Sequence, residues 1–315
     1  MVGNVGNVGN VGNIGNVGGG SGWALVSDRI DLPFVTEAVA RVAEGAVVTT
    51  ADPIASIRFP EARWTGRDWS ADWWAWLVLL EFAGADPDTD WRRRITRLQP
   101  GIPEPGSAEE KREFDTLIAM AQDERADALG EILAQHALYT DIMAPFAALL
   151  MISPSSHPAS FRLMHIAGLL GILTTMHFKR AFNRPRPSQI CPALLPPVPV
   201  PGHPAYPSGH ATQSMLMALF LEEAMRSPPE RPQGTERPMP GTETARSRQM
   251  GPLLTTLAAR IARNREIAGL HYPSDSAAGA NLATQIFTVL NPDPLPEQAT
   301  LFLKTMEKAQ REWAP

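Results

Sequence analysis

From residue 68 to the C-terminus the apolar side chains recur at helical spacing, and no stretch alternates apolar with polar as a strand would. A chain with that one periodicity has few ways to bury its apolar stripes, and packing helix on helix is the simplest. The expected fold class is therefore all-α, a bundle of roughly eight helices. Residues 68–83 (DWSADWWAWLVLLEFA) read as a Trp-rich helix whose Trp69, Trp73 and Trp76 share one face, read as aromatics packed against core or neighbouring helix. Ser107 and Glu110 stand in capping-box register before a helix carrying Phe114, Leu117, Ile118 and Met120. A second helical region starts at Ala126, with a break expected near Pro145. His136 and Asp141 in it read as structural residues. Further periodic stretches cover residues 161–182, 252–269 and 276–290, and an amphipathic helix closes the chain over 297–313.

Between these lie two Pro-rich connections. Residues 192–204 read as a rigid connector, and residues 226–250 as a long polar loop. Residues 1–22 repeat Val-Gly-Asn, with too much glycine for a helix and too little side chain for a core, so they read as a flexible tail. Residues 23–315 then form a single helical domain.

Charge and cysteine narrow the function classes. The formal net charge of −5 gives no electrostatic reason to expect nucleic acid or an anionic membrane as partner. A bound anion would need a local basic cluster, so the placement of Lys and Arg is informative. The single cysteine, Cys191, excludes an intramolecular disulfide and a Cys-rich metal site. The apolar runs 142–152 and 166–176 are short for a membrane span and read as buried core helices. With no secretory signal pattern at the N-terminus, the expected location is cytoplasmic.

Three motifs supply such a cluster. Lys179 lies in the last turn of the 161–182 helix, and Arg186 follows in the extended backbone that Pro185 and Pro187 enforce. Alone, they would simply complement a helix C-terminus. Pro207-Ser208-Gly209-His210 opens an apolar helix, where backbone N–H groups and the macrodipole favour an oxyanion. Alone, this is a turn with Ser208 as N-cap and a solvated His210. Arg265, His271 and Asp275 form the third, with Asp275 four residues after His271 and able to accept its ring N–H. Together Lys179, Arg186 and Arg265 offer three positive charges to one tetrahedral oxyanion, with Ser208 and the Gly209 N–H as further donors.

The order Lys179-x6-Arg186-Pro187, Pro207-Ser208-Gly209-His210, Arg265-x5-His271-x3-Asp275 resembles the superfamily of type 2 phosphatidic acid phosphatases and vanadium-dependent haloperoxidases, over residues 179–275. The resemblance implies that His271 is the phosphoryl-accepting nucleophile of a phosphatase or the ligand that holds vanadium in a haloperoxidase. It implies that His210 is the acid/base group. A haloperoxidase would take vanadate as cofactor with hydrogen peroxide and halide as substrates. A phosphatase would need no cofactor and would act on a phosphate ester. The fuller string GHPAYPSGHATQ is similar to the corresponding stretch of algal bromoperoxidases, including His203 seven residues before His210, near the halide-reactive position. The lack of membrane spans and of an export signal points the same way. Met176, where haloperoxidases often carry Trp or Arg, and the short chain point to the phosphatase. Asn264 replaces the Ser that commonly precedes the third-motif Arg, which should weaken one orienting hydrogen bond. His203 reads equally as a turn residue, and His136, His157, His165 and His177 have no motif support. A third reading is a non-catalytic oxyanion-binding protein, against which the intact His210, His271 and Asp275 argue.

Overall fold

Proline and N-cap residues set where most helices begin. The computed structural model of the chain describes residues 69–84, 90–227, 241–292 and 300–314. The 1–22 repeat, the whole 23–66 stretch with its short apolar runs, and residues 228–240 of the expected loop lie outside them. The helices are α1 (Ala71–Ala83), α2 (Trp91–Arg94), α3 (Ala108–Asp123), α4 (Arg125–Ala134), α5 (Tyr139–Leu150), α6 (Pro158–Phe182), α7 (Pro187–Ile190), α8 (Gly209–Ala224), α9 (Ala245–Ile267), α10 (Pro273–Leu290) and α11 (Leu301–Glu312). Among the described residues there is no strand, only an isolated bridge between Ser227 and Thr242. The all-α expectation holds.

Helix α8 is the central one, packed against α6, α9 and α10. Its Leu216, Met217, Phe220 and Leu221 are fully buried. Helix α6 starts with Pro158 in the first turn, where the missing N–H is harmless. Glu312 from α11 accepts the next two amides, Ala159 N at 2.6 Å and Ser160 N at 2.9 Å. Helix α6 stops at Asn183, whose φ of 48° turns the chain into extended Arg184-Pro185-Arg186-Pro187. The stretch Pro158–Ile190 is long and apolar enough to cross a membrane, which the shorter apolar runs of the sequence did not indicate. Its apolar window is 78% buried within the protein, as in the core helix of a globular bundle.

Three expectations need correction. Trp73 and Trp76 are 60% and 46% exposed; α1 buries Ala75, Val78, Leu79 and Phe82 instead. The face chosen for its tryptophans is the outer one, because the aliphatic stripe beside it packs closer to α6. The break near Pro145 is absent, since α5 runs through it. The chain breaks earlier, where Asp141 accepts from Leu138 N at 2.9 Å and caps α5 in the structural role expected for it. Finally, α9 begins at Ala245 inside the expected loop, because Thr244 caps it through Ser247 N. The Ser107 cap is as expected, accepting from Glu110 N at 3.1 Å.

Candidate active site

Three buried cations converge where the loop after α6, the connector before α8 and the end of α9 meet. Lys179 is fully buried and donates to the carbonyls of Pro204 at 2.6 Å and Ala205 at 2.8 Å, so it does not cap α6. Burial, with Arg186 adding to it, holds its pKa down to about 7. Arg186 donates from Nε to His203 O at 3.0 Å and from Nη1 to Leu270 O at 2.9 Å. Its Nη2 lies 3.1 Å from His203 Nδ1. Arg265 is 2% exposed, in the last turn of α9, and its Nε and Nη1 have no hydrogen-bond partner among the described residues. Burial and then Arg186 pull Arg265 down to about 10. Buried N–H groups of a charged side chain are rarely left unpaired. Two of them beside two more cations are donors that a bound anion would satisfy.

The Ser208-Gly209 turn enters the same place. Ser208 caps α8, accepting from Ala211 N at 3.4 Å, and its own N–H donates to Asp275 O at 2.9 Å. That bond ties the second motif to the third. Helix α10 can approach because residue 279 is glycine. A Cβ there would lie 2.6 Å from Ser208 O, 2.9 Å from Ala211 Cβ and 3.1 Å from Thr212 Oγ1. Two of those atoms are backbone or fixed methyl, so Gly279→Ala must push the first turn of α8 away. We expect a loss of about 1–3 kcal/mol of stability in urea unfolding, with phosphate binding weakened beyond what the stability loss explains. Unchanged binding in a folded variant would show that the turn does not hold the anion.

His271 is 4% exposed. Its Nδ1 lies 3.3 Å from Asp275 Oδ2, and its Nε2 lies 3.3 Å from Arg186 Nη1. Arginine can only donate and a carboxylate can only accept, so the ring carries its proton on Nδ1 and leaves Nε2 bare. Burial first, then Arg186 and Lys179, hold its pKa well below the usual imidazole range. His210 sends Nε2 to the Gln135 carbonyl at 2.7 Å, which places its proton there and leaves Nδ1 as acceptor. Burial, then Arg265, push it down to about 3. His203 stands beside Arg186, and burial and then Lys179 lower its pKa too.

All the motif residues thus meet in one electrostatic neighbourhood. His136, His157, His165 and His177 do other work: His165 bonds Tyr139 OH at 3.0 Å, and His157 stacks on Trp313. Asn264 leaves no gap, since its amide donates to Glu131 at 2.9 Å and to Gln135 Oε1 at 3.0 Å. Sequence reasoning missed Arg184, Glu113 and Gln135. Arg184 donates to Asp275 Oδ1, Ser274 Oγ and Glu113 Oε2, each at 2.7 Å. The doubled Arg-Pro of residues 184–187 was the only signal for it. Gln135 acts through a backbone carbonyl, which no sequence pattern announces.

Residues 161–294 match the family model described as PAP2 superfamily, a range that contains all three motifs. The chain has no match among curated proteins.

Proposed function

Residues 161–294 match the PAP2 superfamily model, and from that match we propose that the chain is a vanadate-dependent haloperoxidase-like enzyme of that superfamily, oxidising halide with hydrogen peroxide. The observation that carries an oxyanion enzyme is the buried Arg265 with Nε and Nη1 unpaired, in a neighbourhood shared with a bare His271 Nε2. That donor set fits vanadate: cationic and N–H donors for its oxygens, one unprotonated imidazole nitrogen for its centre. Lys179, Arg186, Arg265, Ser208 and the Gly209 N–H would bind the oxygens, and His271 would be the ligand. When bound, vanadate supplies a Lewis-acid centre that activates peroxide for attack by halide. The chain's own part is to neutralise and orient the anion and to move a proton at His210. A neutral His210 with Nδ1 free can accept a proton from peroxide, which supports this branch. His203 beside Arg186 supports a halide role at the rim.

A second reading, a phosphomonoesterase, is supported by Met176, a half-exposed residue where haloperoxidases often carry Trp or Arg. There His271 Nε2 attacks phosphorus, the ester P–O bond breaks, and the alcohol leaves with a proton from His210, which in that branch must be protonated on Nδ1 when the substrate's negative charge is bound. Water then cleaves the phosphohistidine. A pure oxyanion binder would need neither the His271–Asp275 pair nor His210.

The test is a vanadate titration of purified protein with two activities read in parallel, bromination with peroxide and bromide, and nitrophenyl phosphate hydrolysis. Vanadate should switch on bromination. Hydrolysis that vanadate suppresses would overturn the first reading in favour of the second. Silence in both would leave the binding protein.

A further inference from the structure

Arg184 touches none of the groups assigned to the anion, yet it is buried to 6% exposure and bound on three sides. Its Nη1 donates at 2.7 Å to both Asp275 Oδ1 and Ser274 Oγ, and its Nη2 donates at 2.7 Å to Glu113 Oε2. Its guanidinium lies 3.7 Å from the Tyr272 ring centroid. Glu113 comes from α3, outside the matched family range, and its second oxygen accepts Ser274 N at 2.7 Å. Asp275 is fully buried. Its Oδ2 takes Tyr272 N at 2.9 Å and faces His271 Nδ1, while its Oδ1 is held by Arg184. A two-oxygen acceptor loaded on one side by a fixed fork cannot rotate, so Oδ2 keeps its aim.

From this we propose that Arg184, with Glu113 behind it, is the positioning pair for His271. The pair locks Asp275, and Asp275 locks the imidazole with its proton on Nδ1 and Nε2 bare toward the cations. The chain His271–Asp275–Arg184–Glu113 runs from the reacting atom to a helix the three motifs do not include. Partners one shell behind a ligand typically change activity by about 10–100-fold when altered. Arg184 is therefore expected to act on turnover and leave substrate binding alone. The inference deepens the proposed function and rests on His271 as the reacting residue.

Two variants test it. Arg184→Lys keeps a charge but cannot bridge Asp275, Ser274 and Glu113 at once. Glu113→Gln keeps the shape and removes the outer anchor. Full-length protein labelled with nitrogen-15 at histidine reports the tautomer by two-bond H–N correlation, the His271 signals being those lost in His271→Ala. The wild type should show the Nδ1–H form. Arg184→Lys should show a mixture of tautomers, with kcat lower by about 10–100-fold and KM within about threefold; Glu113→Gln should show a smaller change in the same direction. Phosphate affinity should stay within about threefold in both. A pure Nδ1–H form with wild-type kcat in folded Arg184→Lys would overturn the proposal. So would equal losses of phosphate binding and turnover, which would make Arg184 part of the scaffold only. Should the wild type turn over neither substrate, the functional reading fails, and the tautomer measurement alone decides the positioning role.

Discussion

His271→Ala is expected to lower turnover by about 10⁴-fold or more, as removal of a reacting residue does, while phosphate still binds within about tenfold of wild type. The two effects separate because the ring is neutral. Burial and three cations keep the His271 pKa far below its usual range, so His271 contributes no charge to the anion's binding. On the proposed reading the affinity would come from Lys179, Arg186, Arg265 and the N–H groups at the start of α8, all of which the variant keeps. Vanadate should suffer more than phosphate, since it alone would lose a bond to Nε2. The check is calorimetric titration with each anion beside both activity assays. Turnover above about a tenth of wild type would remove His271 from the chemistry, since a reacting residue cannot be dispensed with so cheaply.

How much of this was legible in the sequence depended on what kind of group carries each part. Helices with an apolar stripe and a cap were readable, because period and N-cap chemistry are local: Ser107 accepts the Glu110 amide as the pattern requires, while the Glu110 carboxylate takes the amide of Gly106 in place of that of Ser107. The tryptophans of α1 misled, since period locates a face without saying whether it points inward. Val78, Leu79 and Phe82 took the inner side. The motif side chains were readable because their charges and spacing are unusual. What surrounds them was not. Lys179 looks like a C-terminal helix charge until the connector folds back and sets the carbonyls of Pro204 and Ala205 against it. Glu113 and Gln135 come from regions 70 residues or so distant in the chain, 71 in the Arg184–Glu113 pair and 75 in the His210–Gln135 bond. Such long-range partners are fixed by packing and leave no local trace.

Arg265→Met is expected to make the ligand-free protein more stable while weakening phosphate binding by about 10- to 150-fold, the equivalent of one charge-assisted hydrogen bond at about 1.5–3 kcal/mol. The sign follows from what Arg265 lacks. It is buried, and among the described residues it forms no ion pair and two of its nitrogens have no acceptor. Arg186 repels it, and burial disfavours its charge, which is why its pKa falls to about 10. Without an anion, that charge is a liability of the fold, because a buried charge without a partner carries its desolvation cost uncompensated, and an apolar side chain of similar length removes that cost. With an anion the balance reverses, because the same N–H groups gain their partners. Thermal unfolding across a phosphate series reads both terms. The wild-type midpoint should climb with ligand as mass action requires, starting below the variant's and overtaking it, while the variant's stays nearly flat. A variant that is less stable without phosphate would mean that Arg265 is held by the protein itself. The proposed anion receptor would then lose Arg265 and rest on Lys179, Arg186 and the N–H groups at the start of α8.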